Sequence, residues 1–346
     1  MIFIDGVPFS SASSSSQGNE ILATLLEHPL IVSAANIFKT IPERKFSVPK
    51  EFGLENSPQA KHVYVFQREY ATVDPSLVEL VGTDEATTCI GLVIRNQKSG
   101  MTSVAHMDSQ KTVDLGLIQM LTSVIDHEMD DELDVHLIGG FDDTPDEDVI
   151  ATTGAGSDEE QSGHSLPLCS KIIEALQSRR EKFQIQTLFV LGHNTKRDSD
   201  GNACPLVNGF LVETSTGSLR PASFDKSSRC PDEIVRRLRV TVSSLDPTWN
   251  GRLLETYDTH HDRFHIAPCS WSPNWKYIAS WLQQCSDSEI LLECSTSPSA
   301  EGPDFVDNEK RVFEYLIKHP NWRETFPPGR NRIFQRITDG QWIRCE

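Results

Sequence analysis

Two apolar β-runs lie close together in the chain and leave little freedom in how its centre folds. Thr88-Cys-Ile-Gly-Leu-Val-Ile-Arg95 is followed, after the polar connection from Asn96 to Gly100, by Thr102-Ser-Val-Ala-His106. Runs of β-branched and apolar residues joined by a short, glycine-containing connection form an antiparallel hairpin. An antiparallel pair at the centre excludes the strict strand–helix alternation of a doubly wound sheet.

The flanking segments fit a mixed α+β chain. His62-Val-Tyr-Val-Phe-Gln-Arg-Glu-Tyr70 alternates like a strand. Val113, Leu117, Met120, Leu121, Val124 and Ile125 recur at helical spacing. Asp134–Ile138, Gln186–Gly192, Asn208–Glu213 and Leu219–Phe224 read as strands, and Leu168–Lys182 and Pro231–Val240 as helices. Further helices are predicted over Asn274–Cys285 and Asp307–Lys318, with short closing strands near Arg332–Ile337 and Gln341–Arg344. No internal repeat is visible.

Upstream, a helix from Asn19 to Glu27 stops before Pro29, and Pro42, Pro49 and Pro58 punctuate a linker-like stretch to Lys61. Together with the Ser-rich tract over 10–18, residues 1–61 read as an N-terminal extension, and 62–346 as the catalytic domain. Residues 142–165 are rich in Asp and Glu and hold no Lys, Arg or aromatic residue. Such a segment buries too little apolar surface to offset its ordering entropy, so it reads as a mobile surface insertion.

Charge and compartment bound the function. Thirty-two Lys and Arg against fifty Asp and Glu give a net charge of −18, which disfavours nucleic-acid backbones and anionic membranes. No stretch approaches the apolar length of a membrane span. Met1-Ile-Phe-Ile-Asp5 lacks the form of a secretory signal. Eight cysteines without a C-x-x-C pair are then expected to be reduced thiols in a cytoplasmic, and also nuclear, setting.

Chemistry converges on the hairpin. Cys89 and His106 stand at its two open ends, where cross-strand pairing makes them neighbours. A thiol beside an imidazole is the arrangement that nucleophilic catalysis requires. Thr83, expected in a loop above both, can accept from the second ring nitrogen and fix the tautomer. Cysteine is also among the most buried residue types, so spacing alone leaves an ordinary core cysteine and core histidine open.

The segment Val81-Gly-Thr-Asp-Glu-Ala-Thr-Thr-Cys89, with His106-Met-Asp108 after the hairpin, resembles the protein N-terminal asparagine amidohydrolase family. Gln67-Arg-Glu69, Gly139-Gly-Phe141, Ser270-Trp-Ser-Pro273 and Ser295-Thr-Ser-Pro298 match as well, in family order. The Thr/Cys/His spacing is also similar to bacterial chemoreceptor glutamine deamidases and to the catalytic domain of cytotoxic necrotizing factors. The resemblance implies a cysteine-deamidase-like α+β fold, a mixed β-sheet sandwich flanked by helices. It implies deamidation of an N-terminal Asn to Asp with release of ammonia, without metal or organic cofactor. Cys89 would be the nucleophile, His106 the proton carrier and Thr83 its orienting group, with the Cys89 N–H in the oxyanion hole. The partners it implies are proteins or peptides beginning with Asn and downstream enzymes of the N-degron pathway.

A free α-ammonium calls for a carboxylate. Glu69, Asp84, Glu85 and Asp108 are near the site in sequence, with Glu69 preferred. Two other readings are an internal Gln or Asn deamidase and a non-catalytic module docking through the acidic segment. His260, His261 and His265, with Cys269 and Cys285, do not read as a zinc site, because a loop or strand start falls there. Trp271, Trp275 and Trp281 read as a helix face turned into the core.

Overall fold

The computed structural model describes residues 1–9, 18–47, 60–125, 131–144, 163–199, 201–243, 249–337 and 340–345. The Ser-rich tract apart from Gly18, Pro49, Pro58 and the acidic stretch 145–162 lie outside them. The hairpin forms as β7 (Ile90–Asn96) and β8 (Thr102–Met107), paired antiparallel with Gly91 opposite His106. It sits inside an eight-stranded sheet ordered β15 (Leu254–Glu255), β5 (Glu69–Val73), β8, β7, β9 (Glu132–Gly139), β10 (Lys182–Phe189), β1 (Ile2–Ile4), β2 (Val7–Pro8). The β9–β10 and β10–β1 pairs are parallel, so the sheet is mixed.

A second, five-stranded sheet runs β3 (Arg44–Phe46), β14 (Leu219–Phe224), β13 (Phe210–Glu213), β6 (Leu80–Thr83), β4 (His62–Tyr64). A four-stranded sheet is built from β16 (Tyr257–Asp258), β17 (Arg263–Ile266), β18 (Arg332–Arg336) and β19 (Trp342–Arg344). A two-stranded ribbon joins β11 (Thr195–Arg197) to β12 (Ala203–Pro205). The helices are α1 (Gly18–Glu27), α2 (Pro29–Thr40), α3 (Val113–Val124), α4 (Ser165–Ser178), α5 (Glu233–Ser243), α6 (Trp275–Leu282), α7 (Asp287–Cys294), α8 (Phe305–Lys318) and α9 (Trp322–Thr325).

Strand alternation sorts these elements into layers. Ile90, Leu92 and Ile94 of β7 point to one face and join a core with α1, α3 and α4. Val93 points to the other face, into a core shared with Val81 of β6, Phe210 of β13 and Val235 of α5. The result is the α+β sandwich expected: α1, α3 and α4 on one face of the large sheet, and the second sheet with residues of α2 and α5 on the other. Burying each Leu or Ile in these layers contributes about 1.5–3 kcal/mol. Gly91 lets the sheets approach, since a Cβ there would lie 2.1 Å from the Phe210 ring.

Four local expectations are corrected. The run His62–Tyr70 is two strands in two sheets. Arg68 takes a positive φ of 62° and donates its N–H to the His106 carbonyl at 2.9 Å, turning the chain from β4 into β5. Pro29 ends one helix but begins another, α2, where a proline at the first position costs no hydrogen bond. Helix α7 was missed; Ser286 and Glu289 form a reciprocal capping box at its start. Residues 1–9 and 18–46 are built into the domain rather than extending from it: β1 pairs with β10, and Ile2, Leu22 and Leu25 belong to the first core.

Candidate active site

Thr83, Cys89 and His106 meet between the two large sheets. Alternation places His106 on the same face of β8 as Val104, toward the second sheet. Cys89 immediately precedes β7 and shares the parity of Gly91, the residue paired with His106. Thr83 is not in a loop but is the last residue of β6, paired with Phe210. Its backbone is therefore fixed by the second sheet, while the other two residues belong to the first.

The hydrogen bonds order this trio. The Thr83 hydroxyl lies 2.8 Å from His106 Nδ1 and 3.5 Å from the Asp84 carbonyl. Only the hydroxyl can donate to that carbonyl, and it then accepts from Nδ1–H. That tautomer leaves the lone pair on Nε2, a buried atom with no hydrogen-bond partner among the described residues. Cys89 and His106 line one cavity of about 540 Å³. Behind Cys89, Gly139 has a φ of 105°, and a Cβ on it would come within 2.6 Å of the Cys89 carbonyl oxygen.

Burial sets the protonation states. It pushes the Cys89 thiol well up, with the negative charges of Asp108 and Glu301 adding to it. It brings the His106 imidazole down to about 4, against the pull of Asp108 and Glu85. The resting pair is thus neutral thiol and neutral imidazole.

The four carboxylates differ sharply. Glu69 does not reach the cavity. It is buried and accepts from Arg236, Arg239 and the Phe66 N–H. Asp84 lines the cavity, but its oxygens are taken by Tyr64 Oη at 2.6 Å, Phe224 N–H at 2.7 Å and Arg229 at 3.0 Å. Glu85 pairs with Arg229 at 2.7 Å and Arg237 at 2.9 Å. Asp108 lines the cavity with one oxygen bound by Gln67 and Arg68 and the other without a partner.

Distant segments complete the cavity, and sequence reasoning did not place most of them there. Glu301 and Glu309 line it, each raised to about 7, first by burial. Ser295 and Thr296 of the Ser-Thr-Ser-Pro segment do too, and the Thr296 hydroxyl lies 3.1 Å from that of Thr88. Trp275, Ile278 and Trp281 of α6 form an apolar wall. Trp271, ahead of the helix, is buried in the second core and Trp275 packs half-buried against it, but Trp281 is 54% exposed, because α6 turns it into the open cavity. His260 and His261 lie in the turn after β16 and His265 in β17. Among the described residues no group of His, Cys, Asp and Glu is arranged to hold a metal ion.

The family model described as protein N-terminal asparagine amidohydrolase matches residues 53–344, a span that holds every residue of this cavity. The chain belongs to that family. A protein N-terminal asparagine amidohydrolase of Arabidopsis thaliana is 54% identical over 351 aligned residues, covering 100% of both chains. One from Sus scrofa is 31% identical over 81% of this chain and 82% of its own length. One from Homo sapiens is 30% identical over 81% of this chain and 83% of its own. Of the segments that carry the resemblance, Gln67-Arg68, Asp84-Glu85, Thr87–Cys89, His106, Asp108 and Ser295-Thr296 line the cavity, while Gly139–Phe141 and Ser270–Pro273 do not.

Proposed function

We propose that this protein hydrolyses the side-chain carboxamide of an N-terminal asparagine, with Cys89 as nucleophile, His106 as proton carrier and Thr83 as the group orienting His106. The observation that carries the reading is the Thr83–His106 hydrogen bond at 2.8 Å, which leaves Nε2 unpartnered in a cavity that the thiol shares.

The steps follow from the neutral pair. Cys89 Sγ attacks the carboxamide carbon while its proton passes to His106 Nε2, forming a C–S bond and an oxyanion. The Cys89 backbone N–H stabilises that oxyanion. Collapse breaks the C–N bond, and the imidazolium returns its proton to the leaving nitrogen, which departs as ammonia. Water then attacks the thioester and gives a proton to Nε2. The C–S bond breaks, the thiol recovers its proton, and an N-terminal aspartate is released. Avoiding a resting ion pair suits a site where burial disfavours both charged forms.

The acidic lining supports a cationic N-terminus as the group bound beside the carboxamide. The printed names of the relatives support asparagine as the residue. In this reading proteins and peptides beginning with Asn are the substrates, and the new N-terminal Asp passes to the arginylating enzymes of an N-degron pathway.

The test is intact mass spectrometry of an Asn-starting peptide incubated with the protein. Deamidation raises the mass by about 1 Da as an amide NH₂ becomes an acid OH. Wild type should give that change with ammonia, and Cys89→Ala should give neither. An internal Asn or Gln modified as fast as an N-terminal Asn would move the assignment to an internal-residue deamidase. No change on any peptide would leave a non-catalytic fold.

A further inference from the structure

We propose that Asp108 Oδ1 is the seat of the substrate's α-ammonium, and that Gln67 and Arg68 are positioning residues that hold it there. The inference rests on the reading above that the cavity takes an N-terminal asparagine.

The argument starts from one oxygen. Both donors to the Asp108 carboxylate reach the same atom: Gln67 Nε2 lies 2.9 Å and Arg68 Nε 2.5 Å from Oδ2. Among the described residues Oδ1 has no partner, although the side chain is only 6% exposed. A buried carboxylate oxygen without a donor is costly, and an ionised carboxylate can accept about four hydrogen bonds. The cavity that Asp108 lines is where a donor can arrive.

Position agrees with that role. Asp108 follows His106 by two residues, and after burial its charge bears most strongly on the Cys89 thiol. In asparagine the α-nitrogen and the carboxamide carbon are separated only by Cα and Cβ. The ammonium seat and the nucleophile must therefore be neighbours. The other carboxylates are less suited: Glu69, Asp84 and Glu85 are occupied by arginines, and Glu301 already accepts from Ser295 Oγ. Burial also lifts Glu301 and Glu309 to about 7, which weakens each as a standing anion.

The grip on Oδ2 is itself braced. Arg68 stacks its guanidinium 4.1 Å from the Trp249 ring centre and donates to Ser243 Oγ at 2.9 Å. Its backbone N–H is tied to the His106 carbonyl at 2.9 Å. One dipeptide thus fixes Asp108 relative to His106.

Two peptides of the same sequence test it, one beginning with Asn and one with a succinamoyl group, which is Asn without its α-amine. Wild type should prefer Asn by about 10²–10⁴-fold in kcat/KM. In Asp108→Asn the loss should fall selectively on the Asn peptide, chiefly as a rise in KM of about a hundredfold beyond any change seen with the succinamoyl peptide. The preference should then fall by about a hundredfold. Gln67→Met should lower it partway and decides the matter if Asp108→Asn does not fold. Wild-type preference retained in both variants, or lost only in Glu301→Gln, overturns the assignment. So does an equal loss on both peptides, which would mark a purely structural role. A wild type indifferent to the α-amine is a separate failure, that of the N-terminal reading itself.

Discussion

Replacing Thr83 by Val keeps the shape of the side chain and removes the hydroxyl that, in the proposed mechanism, sets which nitrogen of His106 carries the proton. In the wild type the hydroxyl sits 2.8 Å from Nδ1; in the proposed mechanism the proton rests there and Nε2 is free to take the thiol's. In Thr83→Val a proton on Nδ1 is a buried donor with no acceptor, which costs about 1–3 kcal/mol. The imidazole relieves that cost by moving its proton to Nε2, the nitrogen that must be bare for attack. At about 1.4 kcal/mol per tenfold, the competent tautomer becomes about 5- to 150-fold scarcer. Steady-state ammonia release from an Asn peptide should show kcat lower by that factor and KM unchanged. The melting temperature should drop by only about 1–4 °C for a chain of this length. Thr83→Ser should recover most of the rate, and ring-nitrogen NMR shifts of His106 should report the tautomer directly. A Thr83→Val enzyme within about threefold of wild-type kcat would refute the reasoning.

The pH dependence follows from His106, whose imidazole is held down to about 4 by burial. A base works when deprotonated, so kcat should rise with pH through that region and hold between pH ~5 and ~6.5, where an ordinary imidazole is largely protonated. A kcat limb centred near 6.5 would count against a buried neutral imidazole. Glu69→Gln should destabilise the fold by about 3–5 kcal/mol in urea melts, because it strips the countercharge from the buried Arg236 and Arg239. Its kcat/KM per folded molecule should be near wild type, and a selective loss of KM would return Glu69 to the binding site. Gly91→Ala should destabilise by about 1–3 kcal/mol and lower activity, since the new methyl meets the Phe210 ring at 2.1 Å beside Cys89 and His106. Unchanged melting and turnover would mean that the sheets can part there freely.

What the sequence disclosed was local, and what it hid was set by packing. The hairpin was legible because Ile90–Asn96 and Thr102–Met107 carry their own pairing signal, and Cys89 and His106 came with it. Thr83 was legible as a partner but not as a strand residue, because Leu80–Thr83 is held by its pairing to β13 rather than by its own pattern. Glu69 was the acid preferred for the α-ammonium. Its partners Arg236 and Arg239 are far along the chain, and nothing in Gln67-Arg-Glu69 announces them. Trp281 has the helical spacing of a core residue, and only the placement of α6 beside an open cavity exposes it. Glu301 and Glu309 gave no signal beyond their neighbour, the Ser295–Pro298 segment.

Rapid acid quench during turnover of an Asn-starting peptide, followed by intact mass and peptide mapping, tests the central claim most directly. It predicts a transient adduct on Cys89 with the mass of the peptide less one ammonia, absent in Cys89→Ala and absent when the peptide's Asn is replaced by Asp. Full turnover by Cys89→Ala, or an adduct that maps to another of the eight cysteines, would contradict it.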